Sequence, residues 1–199
     1  MDSDNNNKLD VDYSVRKQRG NKSCLVTALF ISFGGIVLIG ILAAIAIPAF
    51  QKYLARSKAA EAPLVVGKLQ FQAIHYFETS SADGACQFPP SANPVPEGQE
   101  CCENVGPSGG EEWTPPAQTW RQEGWKALGF EKNEPSYFAY QTINKKTDEG
   151  NDLMELRAFA DFQPGGPRHT YSVTIEGHKN DQGECVANAQ APVVSNDLE

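Results

Sequence analysis

The 199-residue sequence predicts an α+β chain: a long, bent N-terminal helix, apolar in its first half and amphipathic in its second, packed on a small antiparallel β-sheet. Three observations lead there. Residues 25–50 carry no charge, residues 51–77 repeat apolar side chains at helical spacing, and three later segments alternate apolar and polar residues with period two. A sheet with one apolar face needs a cover, and the amphipathic half of the helix is the natural one.

The apolar segment reads LVTALFISFGGIVLIGILAAIAIPAF. At 1.5 Å per residue it makes roughly 39 Å of helix, enough to cross a hydrocarbon core of about 30 Å. Only Thr27 and Ser32 bring side-chain polar groups, and both can hydrogen-bond back to helix carbonyls. A soluble helix rarely stays apolar on every face for this length, so a membrane anchor is expected. Pro48 removes a backbone donor and predicts a bend near Ala44. Gly34, Gly35 and Gly40 offer flat surface for helix packing.

Before the anchor, residues 1–23 are polar, hold three consecutive asparagines and cannot build a core. Arg16, Lys17, Arg19 and Lys22 cluster just ahead of the apolar run, which favours a cytoplasmic amino terminus. Lys52, Arg56 and Lys58 on the far side weigh the other way. A net charge of -8 excludes nucleic acid as a partner, since that needs clustered Lys and Arg.

After the anchor the helix is expected to continue to about residue 77, with Phe50, Leu54, Leu64, Phe71 and Ile74 forming a stripe against the globular domain. Lys52, Arg56, Lys58 and Glu61 would occupy the remaining surface. Pro63 predicts a second bend near Ala59.

Residues 39–62, IGILAAIAIPAF followed by QKYLARSKAAEA, resemble the N-terminal helix of type IV pilins and pseudopilins. Gly40 and Pro48 stand where that family has its glycine and its helix-kinking proline. The resemblance implies the pilin fold and a structural role in a type IV pilus or type II secretion-type assembly. The expected partners are the membrane and other pilin-like subunits or assembly-platform proteins, with homo-oligomerisation left open. The register fixed by Gly40 and Pro48 departs at the start: Val26 and Thr27 stand in place of the prepilin peptidase's Gly and Phe, and Ile31 in place of the family's Glu. The charged tail is therefore expected to remain attached. Together with the cysteines, the resemblance places the anchor in the inner membrane as a single pass with the globular domain in the periplasm, and at the cell surface if the protein assembles.

These readings divide the chain into a cytoplasmic disordered tail (1–23), a transmembrane helix (24–50), its amphipathic periplasmic continuation (51–78) and a β-rich globular domain (79–199) that opens with a Cys- and Pro-rich loop (79–116). So long a loop needs a tie. Cys24 precedes the anchor and is read as an interfacial thiol; Cys86, Cys101, Cys102 and Cys185 lie beyond it, an even number suited to an oxidising compartment. No CxxC pair exists and His75, His169 and His178 are scattered, so disulfides are expected over metal. Closing Cys101 on Cys102 makes a strained ring. Each is therefore expected to bond a distant partner drawn from Cys86 and Cys185.

Residues 119–130 predict a short helix capped by Thr119 and stopped by Gly129, with Trp120, Trp125 and Leu128 as core or sheet cover. Strands are expected over 137–143, 153–162 and 169–176, with a fourth near 184–187. In the second, Met154, Leu156, Ala158, Ala160 and Phe162 share one face; in the third, Tyr171, Val173 and Ile175 face in. Residues 196–199 are read as a loose acidic end.

The sequence holds no GxxxxGK or HExxH, and Phe162, Gln163 and Pro164 replace the oxygen ligands a calcium loop after Asp161 would need. No catalytic residue, cofactor or metal is expected. The competing reading is a membrane-anchored periplasmic binding or sensing module on the same scaffold.

Overall fold

A computed structural model describes residues 22–79, 85–96, 112–148, 150–162 and 168–195. The chain divides into two compact units, Met1–Ala46 and Ile47–Glu199. Helix α1 (Lys22–Ala59) supplies the described part of the first and is one helix long and apolar enough to cross a membrane. Within that apolar run the Ser32 hydroxyl donates to the Leu29 carbonyl at 3.0 Å. The polar group is thus satisfied inside the helix, as a hydrocarbon surrounding demands. Gly40 leaves open surface, and the helix continues through Pro48.

In the second unit α1 ends at Ala59, and α2 (Glu61–Thr79) begins after a single residue, Ala60. Pro63 explains the break. It has no N–H for the Ala59 carbonyl and its ring crowds that carbonyl, so it cannot continue α1. In the first turn of α2 the missing donor would be unpaired anyway, so Pro63 is tolerated there. The bend expected near Ala59 is this break.

Helix α2 covers the sheet with Ala62, Val66, Leu69, Ala73 and Phe77, none of which keeps any exposed surface. Burying Val66, Leu69 and Phe77 contributes about 1.5–3 kcal/mol each. The alanines let the helix lie close. Phe77 goes deepest: its ring packs on Phe88 with centroids 4.5 Å apart and fills the space a Cβ at Gly177 would need.

The sheet is antiparallel throughout, in the order β1-β2-β3-β4-β5, with β6 pairing the other half of the β4 edge. Its strands are β1 (Ala92–Val95), β2 (Ala139–Lys146), β3 (Asp152–Ala160), β4 (His169–Lys179), β5 (Cys185–Ala189) and β6 (Val193–Ser195). Met154, Leu156, Ala158 and Ala160 of β3, and Phe162 just beyond it, are buried as the alternation predicts. Val173 and Ile175 are buried too, while Tyr171 is half-buried.

Four expectations are corrected. Of the expected stripe, Leu54 and Ile74 are half-buried, Ile74 against the core, but Phe50, Leu64 and Phe71 are exposed, because the smaller stripe from Ala62 to Phe77 fits closer to the sheet. Glu61 is not surface. The Pro-rich region is not wholly irregular: it contributes β1, an edge strand whose outer position tolerates Pro94. Thr119 does not cap a helix; its Oγ1 donates to the Pro116 carbonyl within a 3-10 turn (Ala117–Arg121), and α3 (Glu123–Leu128) starts after Gln122. Gly129 does stop α3, at φ 62° in the left-handed region where glycine is favoured.

Candidate functional site

The break between α1 and α2 is held by a carboxylate. Glu61 opens α2, where the helix N-terminus favours negative charge. Its Oε1 accepts from the Ser136 hydroxyl at 2.5 Å and the Tyr140 hydroxyl at 2.7 Å, and its Oε2 accepts from the Tyr137 N–H at 3.0 Å. Lys132 Nζ lies 3.5 Å away and also donates to the carbonyls of Glu134 and Pro135. Ser136 and Tyr140 have no exposed surface, and the Glu61 side chain keeps 18% of its own. The cluster fastens the helix to the start of β2. Beside it Lys58 Nζ sits 4.7 Å over the Tyr137 ring. Burial pulls the Lys58 ammonium below its ordinary value, with Glu112 opposing; burial pushes the Tyr137 hydroxyl up, with Glu112 and Glu61 adding to it.

The outer face of the helices is the second feature. Phe50, Tyr53, Ser57, Ala60, Leu64, Gly67 and Phe71 recur at steps of three and four, and all are exposed. Phe50, Tyr53, Leu64 and Phe71 keep 60, 67, 76 and 73% of their surface. Large side chains (Phe50, Tyr53, Leu64, Phe71) and small ones (Ser57, Ala60, Gly67) share this stripe, and a Cβ at Gly67 would meet nothing within 4 Å.

The third feature is a cleft of about 470 Å3 beside α3. Behind it Trp120, Trp125 and Phe130, all buried, pack with ring centroids 5.1–5.5 Å apart. Arg121, Lys126 and Glu131 stand exposed at its rim. Trp113 donates its indole N–H to the Phe138 carbonyl at 3.0 Å, and Trp120 donates to the Lys132 carbonyl at 2.9 Å. Trp125 is fully buried, yet its indole N–H has no partner among the described residues. Leaving such a donor unmade costs about 1–3 kcal/mol.

Cys86 and Cys185 bond to each other, closing 99 residues of chain and tying the start of the Pro-rich loop to β5. This corrects the expected pairing, in which Cys101 and Cys102 would have taken Cys86 and Cys185 as partners. Cys101 and Cys102 lie outside the described residues, as do Arg16, Lys17, Arg19 and the acidic end at 196–199. Lys22 begins α1, Gly40 and Pro48 lie within it, and Pro63 lies in the first turn of α2. Among the described residues no three His, Cys, Asp or Glu side chains group to hold a metal ion. Sequence reasoning missed Glu61, Ser136, Tyr140 and the orphan N–H of Trp125. Only the placement of Glu61 just ahead of Pro63 hinted at a cap.

No protein-family model, curated protein or solved structure matches this chain.

Proposed function

We propose that this chain is a pilin-like structural subunit or accessory protein of a type IV pilus or type II secretion-type assembly. It is held in the inner membrane by one pass, with the amino terminus cytoplasmic and the globular domain periplasmic. One observation carries the reading: the end of α1 and the start of α2 carry two apolar stripes, and the fold buries only one. The inner face seals the sheet; the outer stripe from Phe50 to Phe71 is left for another helix. Its mixture of large and small residues at steps of three and four suits helix-on-helix packing. The pilin-like string over residues 39–62 supports the same reading from the sequence.

Arg16, Lys17, Arg19 and Lys22 stay on the cytoplasmic side. Each would cost at least about 2.5–3.5 kcal/mol to carry to mid-membrane depth. Ile31, at the family's glutamate position, offers no charge to offset that. The protein therefore resides in the membrane and docks onto or primes an assembly. Shearing cells, separating filaments from inner membrane and measuring intact mass tests this. The expected result is an unprocessed chain in the membrane fraction; a chain beginning near Thr27 in the sheared filaments would overturn it.

A further inference from the structure

We propose that Lys52 and Arg56 form a docking edge for the phosphate headgroups of anionic lipids, at the surface of the membrane that α1 leaves. This rests on the membrane-anchored reading above and names the lipid class that meets the globular unit. Helix α1 carries no Asp or Glu along its 38 residues, yet three cations, Lys52, Arg56 and Lys58, follow its apolar run. On a chain of net charge -8 that is a local reversal of sign. The three differ in placement. Lys58 is half-buried and stands 4.7 Å over the Tyr137 ring, turned to the globular domain. Lys52 and Arg56 are exposed and spaced i, i+4, so they share one side of the helix. The negative end of the helix dipole accounts for cations in the last turn, Arg56 and Lys58, but Lys52 lies too far from that end to answer to it.

Depth points to lipid. Along the helix Lys52 lies about 3 Å, and Arg56 about 9 Å, beyond Phe50, the last residue of the apolar run. A headgroup layer is about 5–7 Å thick on each side of the hydrocarbon. The run, roughly 39 Å long, exceeds a core of about 30 Å, and tilting takes up the excess while keeping the charges beyond its end at the surface. Long Lys and Arg side chains lay their stems along apolar neighbours and place their heads at that level. There the guanidinium offers two parallel N–H donors to phosphate oxygens and the ammonium a compact charge. A zwitterionic headgroup cancels its phosphate with its own cation, whereas an anionic lipid leaves a charge for the protein to match. An acid-flanked protein helix would be met by cations along the whole outer stripe. Beyond Arg56, however, the stripe runs on to Phe71, and the single Lys or Arg of α2, Lys68, stands 5.3 Å over the Phe130 ring.

The test uses full-length protein in bilayer nanodiscs holding equal parts of phosphatidylglycerol and phosphatidylcholine. A photoreactive residue replaces Tyr53, which is exposed and lies between the two cations in sequence, and adducts are identified by intact mass. The reporter sits past the apolar run, so Arg16, Lys17, Arg19 and Lys22, on the other side in the proposed topology, do not contribute. The phosphatidylglycerol adduct is expected to exceed the phosphatidylcholine adduct at least about fivefold at low salt. In about 1 M salt the two should become equal. Lys52→Gln with Arg56→Gln should also make them equal while leaving the urea midpoint unchanged, and Lys58→Gln should preserve the excess. Equal adducts in the wild type at low salt, an excess that survives the double substitution, or adducts to a second copy of the chain in place of lipid would each overturn the proposal and leave the anchor reading standing. No lipid adduct of either kind would overturn the membrane-anchored reading itself, and the proposal with it.

Discussion

Replacing Glu61 by Ala removes the acceptor that fastens the helix break to the sheet, and its cost follows from what each donor is left with. The Ser136 hydroxyl retains the Phe138 carbonyl at 3.1 Å as an alternative acceptor, and also the Tyr140 hydroxyl oxygen at 3.5 Å. Lys132 retains two carbonyls. The Tyr137 N–H loses its acceptor outright. One donor stranded and two weakened, at about 1–3 kcal/mol for each bond to a charged group, gives about 3–5 kcal/mol in total. Glu61→Gln keeps an oxygen for the two hydroxyls but turns an N–H donor toward Tyr137, so it should cost about half as much. Urea unfolding of the full-length protein in micelles, followed by tryptophan fluorescence, measures both. The Ala variant should lose the most, the Gln variant an intermediate amount, with the slope unchanged. A midpoint for Glu61→Ala equal to wild type would refute the reasoning.

Other consequences are checked by the same unfolding assay or by direct chemistry. Non-reducing peptide mapping should recover Cys86 linked to Cys185, and replacing both by Ser should cost about 4–5 kcal/mol for a loop of this length in the chain-entropy model. Leu69→Ala, on the inner face of α2, should cost about 2–5 kcal/mol, whereas Leu64→Ala on the outer face should change stability by no more than about 0.5 kcal/mol. Glu155 should make the domain acid-sensitive. Burial pushes its carboxyl up, but Arg157 at 2.6 and 2.8 Å and Lys145 at 2.9 Å together outweigh it and hold the carboxyl below its ordinary 4.5. A group depressed by folding stabilises above its unfolded value and loses that contribution as pH falls through the folded one. Stability should therefore drop below about pH 4.5, and Glu155→Gln should remove part of that drop.

The parts of the fold that could be read from sequence are those where one period dominates. Met154, Leu156, Ala158, Ala160 and Phe162 alternate with Glu155, Arg157 and Asp161, broken only by Phe159, which is buried on the other face beside Ala139, and a one-residue slip would invert the pattern. The long apolar helix is legible because no charge interrupts it, and the helix break because proline has one steric consequence. On α2 the period was right and the face was not. Two apolar stripes share the helix, and the larger side chains, Leu64 and Phe71, suggest burial more strongly than Ala62 and Ala73. Close approach to a sheet favours the small residues, which hydrophobicity does not reveal. β1 was hidden by Pro94, and β6 is a three-residue edge whose side chains are all exposed. The cysteine pairing depends on where β5 meets the loop after α2, a contact across 99 residues that spacing does not encode. Glu61 and Trp125 were illegible for the same reason: what defines each is the partner it has, or lacks, across the fold.

The central claim, that the outer stripe of the helices is a docking face for another helical subunit, is tested most directly by photocrosslinking in intact cells. A photoreactive residue at position 64 or 71 should form discrete adducts with another membrane-anchored subunit, while one at Lys145, exposed on β2 away from the stripe, should form none. Absence of protein adducts from positions 64 and 71, or the same adduct pattern from all three positions, would contradict the account.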